Sequence, residues 1–121
     1  MAAGNQSILI VEDEAVMVMY LEMRLSRAGF TVCESVATGE DAIASFIKNS
    51  PEIVLMDIRL GGSMDGIEAA REMNKLHKSK ILFMSGYSDN KTIEKAEETQ
   101  PLGYLVKPFE INELLMLIKN A

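Results

Sequence analysis

Tryptophan is absent, cysteine and histidine occur once each, proline occurs three times, and aromatics fill only 6% of the 121 positions. Each shortage excludes something. A single cysteine, Cys33, cannot close an internal disulfide and fits a reduced, cytoplasmic interior. With so few rings, the core falls to Ile, Leu, Val and nine Met, and 121 residues suffice to bury one without disulfide or structural metal. No apolar run approaches the length that crosses a bilayer, and Met1 is followed by no basic or cleavable apolar leader, so no membrane segment is expected. A basic stripe is also missing. The net charge of -6 speaks against holding nucleic-acid phosphates. Linkers, low-complexity tracts and charge blocks are lacking too, which leaves one domain over residues 1–121.

What the chain has instead is a series of short apolar runs that end in polar groups. Ile53-Val54-Leu55-Met56 ends in Asp57, and Ile8-Leu9-Ile10-Val11 ends in Glu12-Asp13. Ile81-Leu82-Phe83-Met84 ends in Ser85, and Leu105-Val106 ends in Lys107. Runs this apolar predict strands buried on both faces, as in a parallel sheet covered by helices. A lone Asp at a strand end is most often a cap or turn residue. Four strands that deliver acids, a hydroxyl and an ammonium to one edge are a stronger signal.

Helical patterns lie between these runs. After a polar tail, Met1 to Gln6, and a first strand, Ser7 to Glu12, a helix is expected from Glu14 to Ala28, with Met17, Leu21, Leu25 and Ala28 inward and Gly29 closing it. Phe30 to Ala37 reads as a second strand without a terminal acid. Thr38 is the expected N-cap of a second helix, with Ala42, Ile43, Phe46 and Ile47 as its buried stripe and Asn49-Ser50-Pro51 as its stop. The loop Ile58 to Met64 leads to a third helix opened by Asp65-Gly66, with Ile67, Ala70, Met73 and Leu76 inward. A polar fourth helix, Lys91 to Thr99, has only Ile93 and Ala96 to bury and should be the least firmly packed. A fifth strand, Leu102 to Lys107, precedes a last helix marked by Ile111, Leu114, Leu115 and Ile118.

Five β-α units in succession imply an α/β fold, a five-stranded parallel sheet with helices on both faces and right-handed crossovers. At this length the flavodoxin-like (β/α)5 arrangement, strand order 2-1-3-4-5, is the expected solution. Ligands of such sheets bind beyond the strands' carboxyl ends, where strands 1 and 3 diverge. Those strands end in Glu12-Asp13 and Asp57.

Three carboxylates in one crevice repel one another unless a cation neutralises them. Oxygen donors alone, with no His or Cys at these strand ends, favour a hard ion such as Mg²⁺ over zinc. Lys107 adds a positive charge and Ser85 a hydroxyl donor, both suited to phosphoryl oxygens. A carboxylate nucleophile, a metal, a lysine and a hydroxyl together describe phosphoryl transfer through an aspartyl-phosphate.

With these residues in place the chain resembles, over its whole length, a response-regulator receiver domain of two-component phosphorelay signalling. The matching motifs are Ile10-Val11-Glu12-Asp13-Glu14, Leu55-Met56-Asp57, Met64-Asp65-Gly66, Met84-Ser85-Gly86 and Gly103-Tyr104-Leu105-Val106-Lys107-Pro108-Phe109. The resemblance implies that Asp57 is the phosphoacceptor and that Asp13 and Asp57 bind Mg²⁺ directly. It also implies that Glu12 acts on the metal through water and that the Arg59 backbone carbonyl completes the ligands. Ser85 and Lys107 would grip the phosphoryl group, Lys107-Pro108 would be cis, and Tyr104 would be the switch aromatic. Two departures stand out: Gly61-Gly62 in a loop one residue longer than the family pattern, and Ser85 where Thr is more common.

The function implied is a phosphorylation-controlled switch. It would take a phosphoryl group from a sensor histidine kinase or phosphotransfer protein and change the surface of helix 4, strand 5 and helix 5, where a downstream target binds. Such a domain catalyses only its own phosphorylation and dephosphorylation, binds no nucleic acid or membrane directly, and is a monomer or a weak phosphorylation-dependent dimer. A phosphatase reading is weaker, because Asp57-Ile58-Arg59 has no second acid two residues on. A flavin-binding reading is weaker still, because Glu12-Asp13-Glu14 repels a phosphate where flavin sites need donors. His77 reads as a surface residue at a helix end. Arg59 and Tyr87 either tune water access to the site or are merely exposed loop residues, and the sequence supports both equally.

Overall fold

The computed structural model describes residues 6–121; the tail expected over Met1 to Gln6 therefore lies almost wholly outside the described residues. The elements follow in strict alternation: β1 (Ser7–Val11), α1 (Ala15–Arg27), β2 (Thr31–Val36), α2 (Gly39–Asn49), β3 (Ile53–Asp57), α3 (Gly66–Leu76), β4 (Lys80–Ser85), α4 (Asn90–Glu97), β5 (Gly103–Val106) and α5 (Ile111–Lys119). The strands form one parallel sheet in the order β2-β1-β3-β4-β5, the flavodoxin-like solution. No described helix is long and apolar enough to cross a membrane.

Period-two alternation divides the apolar residues between two layers. Leu9, Val11, Val54, Met56 and Phe83 point to one face, where they meet Phe46 of α2, Ile67 and Met73 of α3 and Ala96 of α4. Ile8, Ile10, Ile53, Leu55 and Leu82 point to the other, against Leu21 and Leu25 of α1 and Leu114 and Ile118 of α5. All five residues of β3 are buried, which explains why this central strand carries almost no polar side chain until Asp57.

Local chemistry sets the helix ends. The Thr38 hydroxyl accepts from the Asp41 backbone N–H at 3.1 Å, the cap expected of it. Asp65 and Glu68 form a reciprocal capping box, with bonds of 2.8 and 3.0 Å. Gly29 adopts φ 93°, the left-handed conformation that stops α1. Helix α4 begins one residue earlier than its apolar pattern suggests, because Asp89 caps it by accepting from the Thr92 N–H.

Two stripe residues are placed differently from the sequence expectation. Ile47 is 62% and Leu76 51% exposed. Helix α2 is rotated so that Ser45 and Asn49 face β2, where both donate to Glu34, at 2.6 and 3.0 Å. That polar contact carries Ile47 outward. Leu76 is the last residue of α3, at the end where His77 leaves the helix and stacks on Phe46 with ring centroids 4.4 Å apart.

The start of α3 lies hard against β3. A Cβ added at Gly66 would run into the Asp57 carbonyl and come within 2.9 Å of Ile58 Cα and Met56 Cγ, so only glycine fits here. Gly61 has nothing within 4 Å of such a Cβ and no left-handed φ. Gly66→Ala is therefore expected to lower unfolding free energy by about 1–3 kcal/mol through overpacking, with Gly61→Ala near neutral. Urea titration of both variants checks this, and equal stability of the two would refute the close approach.

Candidate functional site

The carboxyl ends of β1, β3, β4 and β5 meet at one edge. Glu12 and Asp13 follow β1, Asp57 and Ser85 are the last residues of β3 and β4, and Lys107 follows β5 ahead of a cis peptide bond to Pro108. Between them lies a cleft of about 410 Å³ lined by Asp13, Glu14, Asp57, Arg59, Ser85, Gly86, Tyr87 and Lys107. Glu12 forms its buried floor, with no exposed side-chain surface. A roomier cleft of about 570 Å³ opens at the opposite edge, by His77, Lys78 and Gln100, but among the described residues no group of carboxylates converges there.

The electrostatics turn on Lys107. Its ammonium lies 2.7 Å from Glu12 Oε1, 3.3 Å from Asp57 Oδ2 and 3.8 Å from Glu14 Oε1. Burial alone would favour its neutral form; the Glu12 hydrogen bond and the charges of Asp57 and Glu12 outweigh this and raise its pKa. Asp57 is pushed up to about 6, first by burial and then by the Glu12 charge, with Lys107 opposing both. Lys107 serves Glu12 at the shorter distance and so only partly compensates Asp57. The two buried acids are unequal for that reason.

Carboxylate oxygens of Glu12, Asp13 and Asp57 lie within 4.8 Å of one another. Two of these side chains are buried and Asp13 faces solvent. This oxygen-only donor set, open on one side, fits a hard divalent cation that keeps several waters.

Every side chain singled out from the sequence for this site borders the cleft or its floor. Ser85 is fully buried, and its hydroxyl oxygen accepts from the Tyr87 N–H at 3.0 Å. The Arg59 guanidinium carbon stands 5.5 Å from the centroid of the Tyr87 ring, so these two residues form a pair across the cleft mouth. Tyr104 donates its hydroxyl to the Tyr87 carbonyl at 2.7 Å and packs near Phe83. Sequence reasoning missed the approach of Glu14 to Lys107 and the role of Tyr87 as the residue that Ser85, Arg59 and Tyr104 all touch. The only signal for the latter was its position two residues after Ser85.

Comparison with known proteins points to one family. The family model described as "Response regulator receiver domain" matches residues 8–119. The transcriptional regulatory protein PdtaR of Mycobacterium tuberculosis is 32% identical over 99% of this chain, which spans 58% of that protein's length. The chemotaxis protein CheY of Bacillus subtilis is 31% identical over 94% of this chain and 95% of its own. Among solved structures, the signal receiver domain of a modulated diguanylate cyclase from Desulfovibrio desulfuricans superposes with a TM-score of 0.89 at 32% identity, covering 97% of this chain and 93% of that one. The acidic edge thus sits in a chain that matches receiver domains from end to end, and the chain belongs to the response regulator receiver domain family.

Proposed function

We propose that this chain is a phosphorylation-controlled switch in which Asp57 accepts a phosphoryl group from a sensor histidine kinase or a histidine phosphotransfer protein. The observation that carries the reading is the Asp57 carboxylate on an open cleft, 3.3 Å from the Lys107 ammonium and flanked by Glu12 and Asp13. An ionised Asp57 oxygen attacks phosphorus, and the bond to the donor's imidazole nitrogen breaks with its electron pair leaving on the imidazole. With a pKa of about 6, Asp57 is mostly ionised at neutral pH. Lys107 swings from the acids to the arriving phosphoryl oxygens. Ser85 has a hydroxyl proton free to donate, since its oxygen is the acceptor toward Tyr87. Glu12, Asp13, Asp57 and the Arg59 carbonyl are the groups that would hold Mg²⁺, which when bound neutralises the acids and the phosphoryl oxygens. The chain would catalyse only its own phosphorylation and dephosphorylation.

The output surface in this reading is the face of α4, β5 and α5. Phosphorylation adds roughly two negative charges beside Ser85 and Lys107. Ser85 is tied to Tyr87, and Tyr87 to Tyr104 on β5, so a shift at the site reaches this face through two hydrogen bonds. Helix α4 has one fully buried side chain, Ala96, and can move at low cost.

With Mg²⁺ and a small phosphodonor, intact mass should rise by one phosphoryl group, and Asp57→Asn should abolish the gain. Amide shifts on adding a phosphoryl mimic should run from Asp57 through Ser85 to Tyr104 and α4. Undiminished labelling of the variant, or shifts confined to the loops at Asp13 and Asp57, would contradict the acceptor or the route respectively.

The metal and lysine roles separate in a second experiment. Asp13→Ala should weaken Mg²⁺ binding by roughly 10-fold or more. Lys107→Ala should leave affinity unchanged or higher, since a competing cation 2.7 Å from Glu12 is gone, while the shape change on phosphorylation is lost. Equal loss of Mg²⁺ binding in both, by titration calorimetry, would defeat this division.

The raised pKa of Asp57 has a consequence for stability. In the metal-free protein the folded state prefers the protonated carboxyl, so the contribution to stability is full below the unfolded value of 3.8 and is lost as pH rises through about 6. Asp57→Asn removes that cost. In the presence of a chelator it should stabilise the fold by at most about 3 kcal/mol at pH 7.5, with the gain shrinking toward zero near pH 4. Chemical denaturation across this range tests it, and a pH-independent difference would rule out the Asp57 charge as its cause.

A further inference from the structure

The glycine pair Gly61-Gly62 stands in a loop one residue longer than the family pattern, and the cleft alone does not explain it. This loop, residues 58–65, leaves β3 directly after Asp57 and carries Arg59, whose backbone carbonyl is one of the groups that would hold Mg²⁺. Its base is closed by the Gly66 N–H, which donates to the Ile58 carbonyl at 2.8 Å. Ile58 is buried and Leu60 packs against the core, so both turn inward.

The far end of the loop is strapped to the start of α2. Gly61 pairs with Thr38 in an isolated parallel bridge. The Ser63 hydroxyl donates to Glu40 Oε2 at 2.7 Å. Met64 lies against Gly39, where an added Cβ would stand 3.0 Å from the Met64 Cγ. Gly62 has φ 90°, and a Cβ on it would come within 3.0 Å of Glu40 Oε1. Glycine at 62 thus leaves room for the Glu40 carboxylate to reach the loop. Hydrogen bonds from the Ser63 hydroxyl first, and then from the backbone of Glu40 and Ser63, hold the Glu40 carboxyl below the usual carboxylate range. Among the described residues Glu40 forms no ion pair, so the loop is its principal partner.

Two consecutive glycines give a loop wide conformational freedom unless something else restrains it. A loop that becomes ordered only when its carbonyl takes up a cation adds that entropy to the cost of binding, and one already fixed does not. We propose that Glu40 is a positioning residue for the metal: through Ser63 it holds the loop, and with it the Arg59 carbonyl, in one place before the cation arrives. The start of α2 lines no part of the cleft, yet it sets the cleft's affinity for Mg²⁺. This role rests on the reading of Glu12, Asp13, Asp57 and the Arg59 carbonyl as the metal's ligands.

Amide-shift titrations of the protein with MgCl₂ test it. Glu40→Ala and Ser63→Ala should each weaken Mg²⁺ binding about 10-fold, the low end for groups that orient a metal ligand. Combined in one chain they should weaken it no further than either alone, because both break the same contact. Glu40→Gln keeps an acceptor for the Ser63 hydroxyl and should retain most of the affinity. Before any metal is added, amide hydrogen exchange at residues 59–63 should quicken in the two alanine variants and not in Glu40→Gln. With a small phosphodonor, the labelling rate of the alanine variants should fall less at saturating Mg²⁺ than at low Mg²⁺. Unchanged affinity in both alanine variants, beside a native protein that binds Mg²⁺, overturns the positioning role and leaves the metal reading intact. Equal losses in Glu40→Ala and Glu40→Gln, with Ser63→Ala unaffected, overturn it as well, since Glu40 then acts by its charge alone. A native protein that binds no Mg²⁺ in the cleft overturns the metal reading, and this proposal with it.

Discussion

The Lys107 ammonium compensates two buried carboxylates that adjacent strands hold side by side. Glu12 and Asp57 end two adjacent apolar strands, so both carboxylates lie where little water reaches, and two like charges there cost several kcal/mol unless compensated. Lys107 bonds to both, across 95 residues of sequence to one and 50 to the other. Because it favours Glu12, Asp57 stays incompletely compensated. That imbalance leaves the Asp57 carboxyl with its pKa pushed up to about 6.

The sheet supplies the precision of this arrangement. β3 lies between β1 and β4 and is buried along its whole length, so the strand that ends in Asp57 is held by hydrogen bonds on both sides and by α3 pressing at Gly66. Toward β5 the packing loosens. β5 is a four-residue edge strand with an exposed Val106, and α4 beside it buries only Ala96 fully. Packing is thus tightest around Asp57 and loosest two strands away.

α1 lies on the opposite flank of the site and differs from α4. It is anchored by Leu21 and Leu25 yet shows an apolar outer stripe, so it is a firm helix with a surface to spare.

The apolar runs, the starts of α2 and α3 and the polar residues at the strand ends were legible in the order of residues. β3 is too apolar for anything but a central strand, Thr38 and Asp65 carry caps that depend only on near neighbours, and Gly29 adopts the left-handed turn expected of it. Local chemistry and short-range periodicity decide such features, and the strand order follows from five β-α units of this length. The tertiary structure alone decided which way α2 turns, because Ser45 and Asn49 bond to Glu34 on a different strand and carry Ile47 out to solvent. It likewise decided that Lys107 rests on Glu12 more closely than on Asp57, and that Tyr87 joins Ser85, Arg59 and Tyr104. Those outcomes depend on distances between side chains from separate strands and loops, and a one-dimensional pattern carries no information about them until the chain has closed.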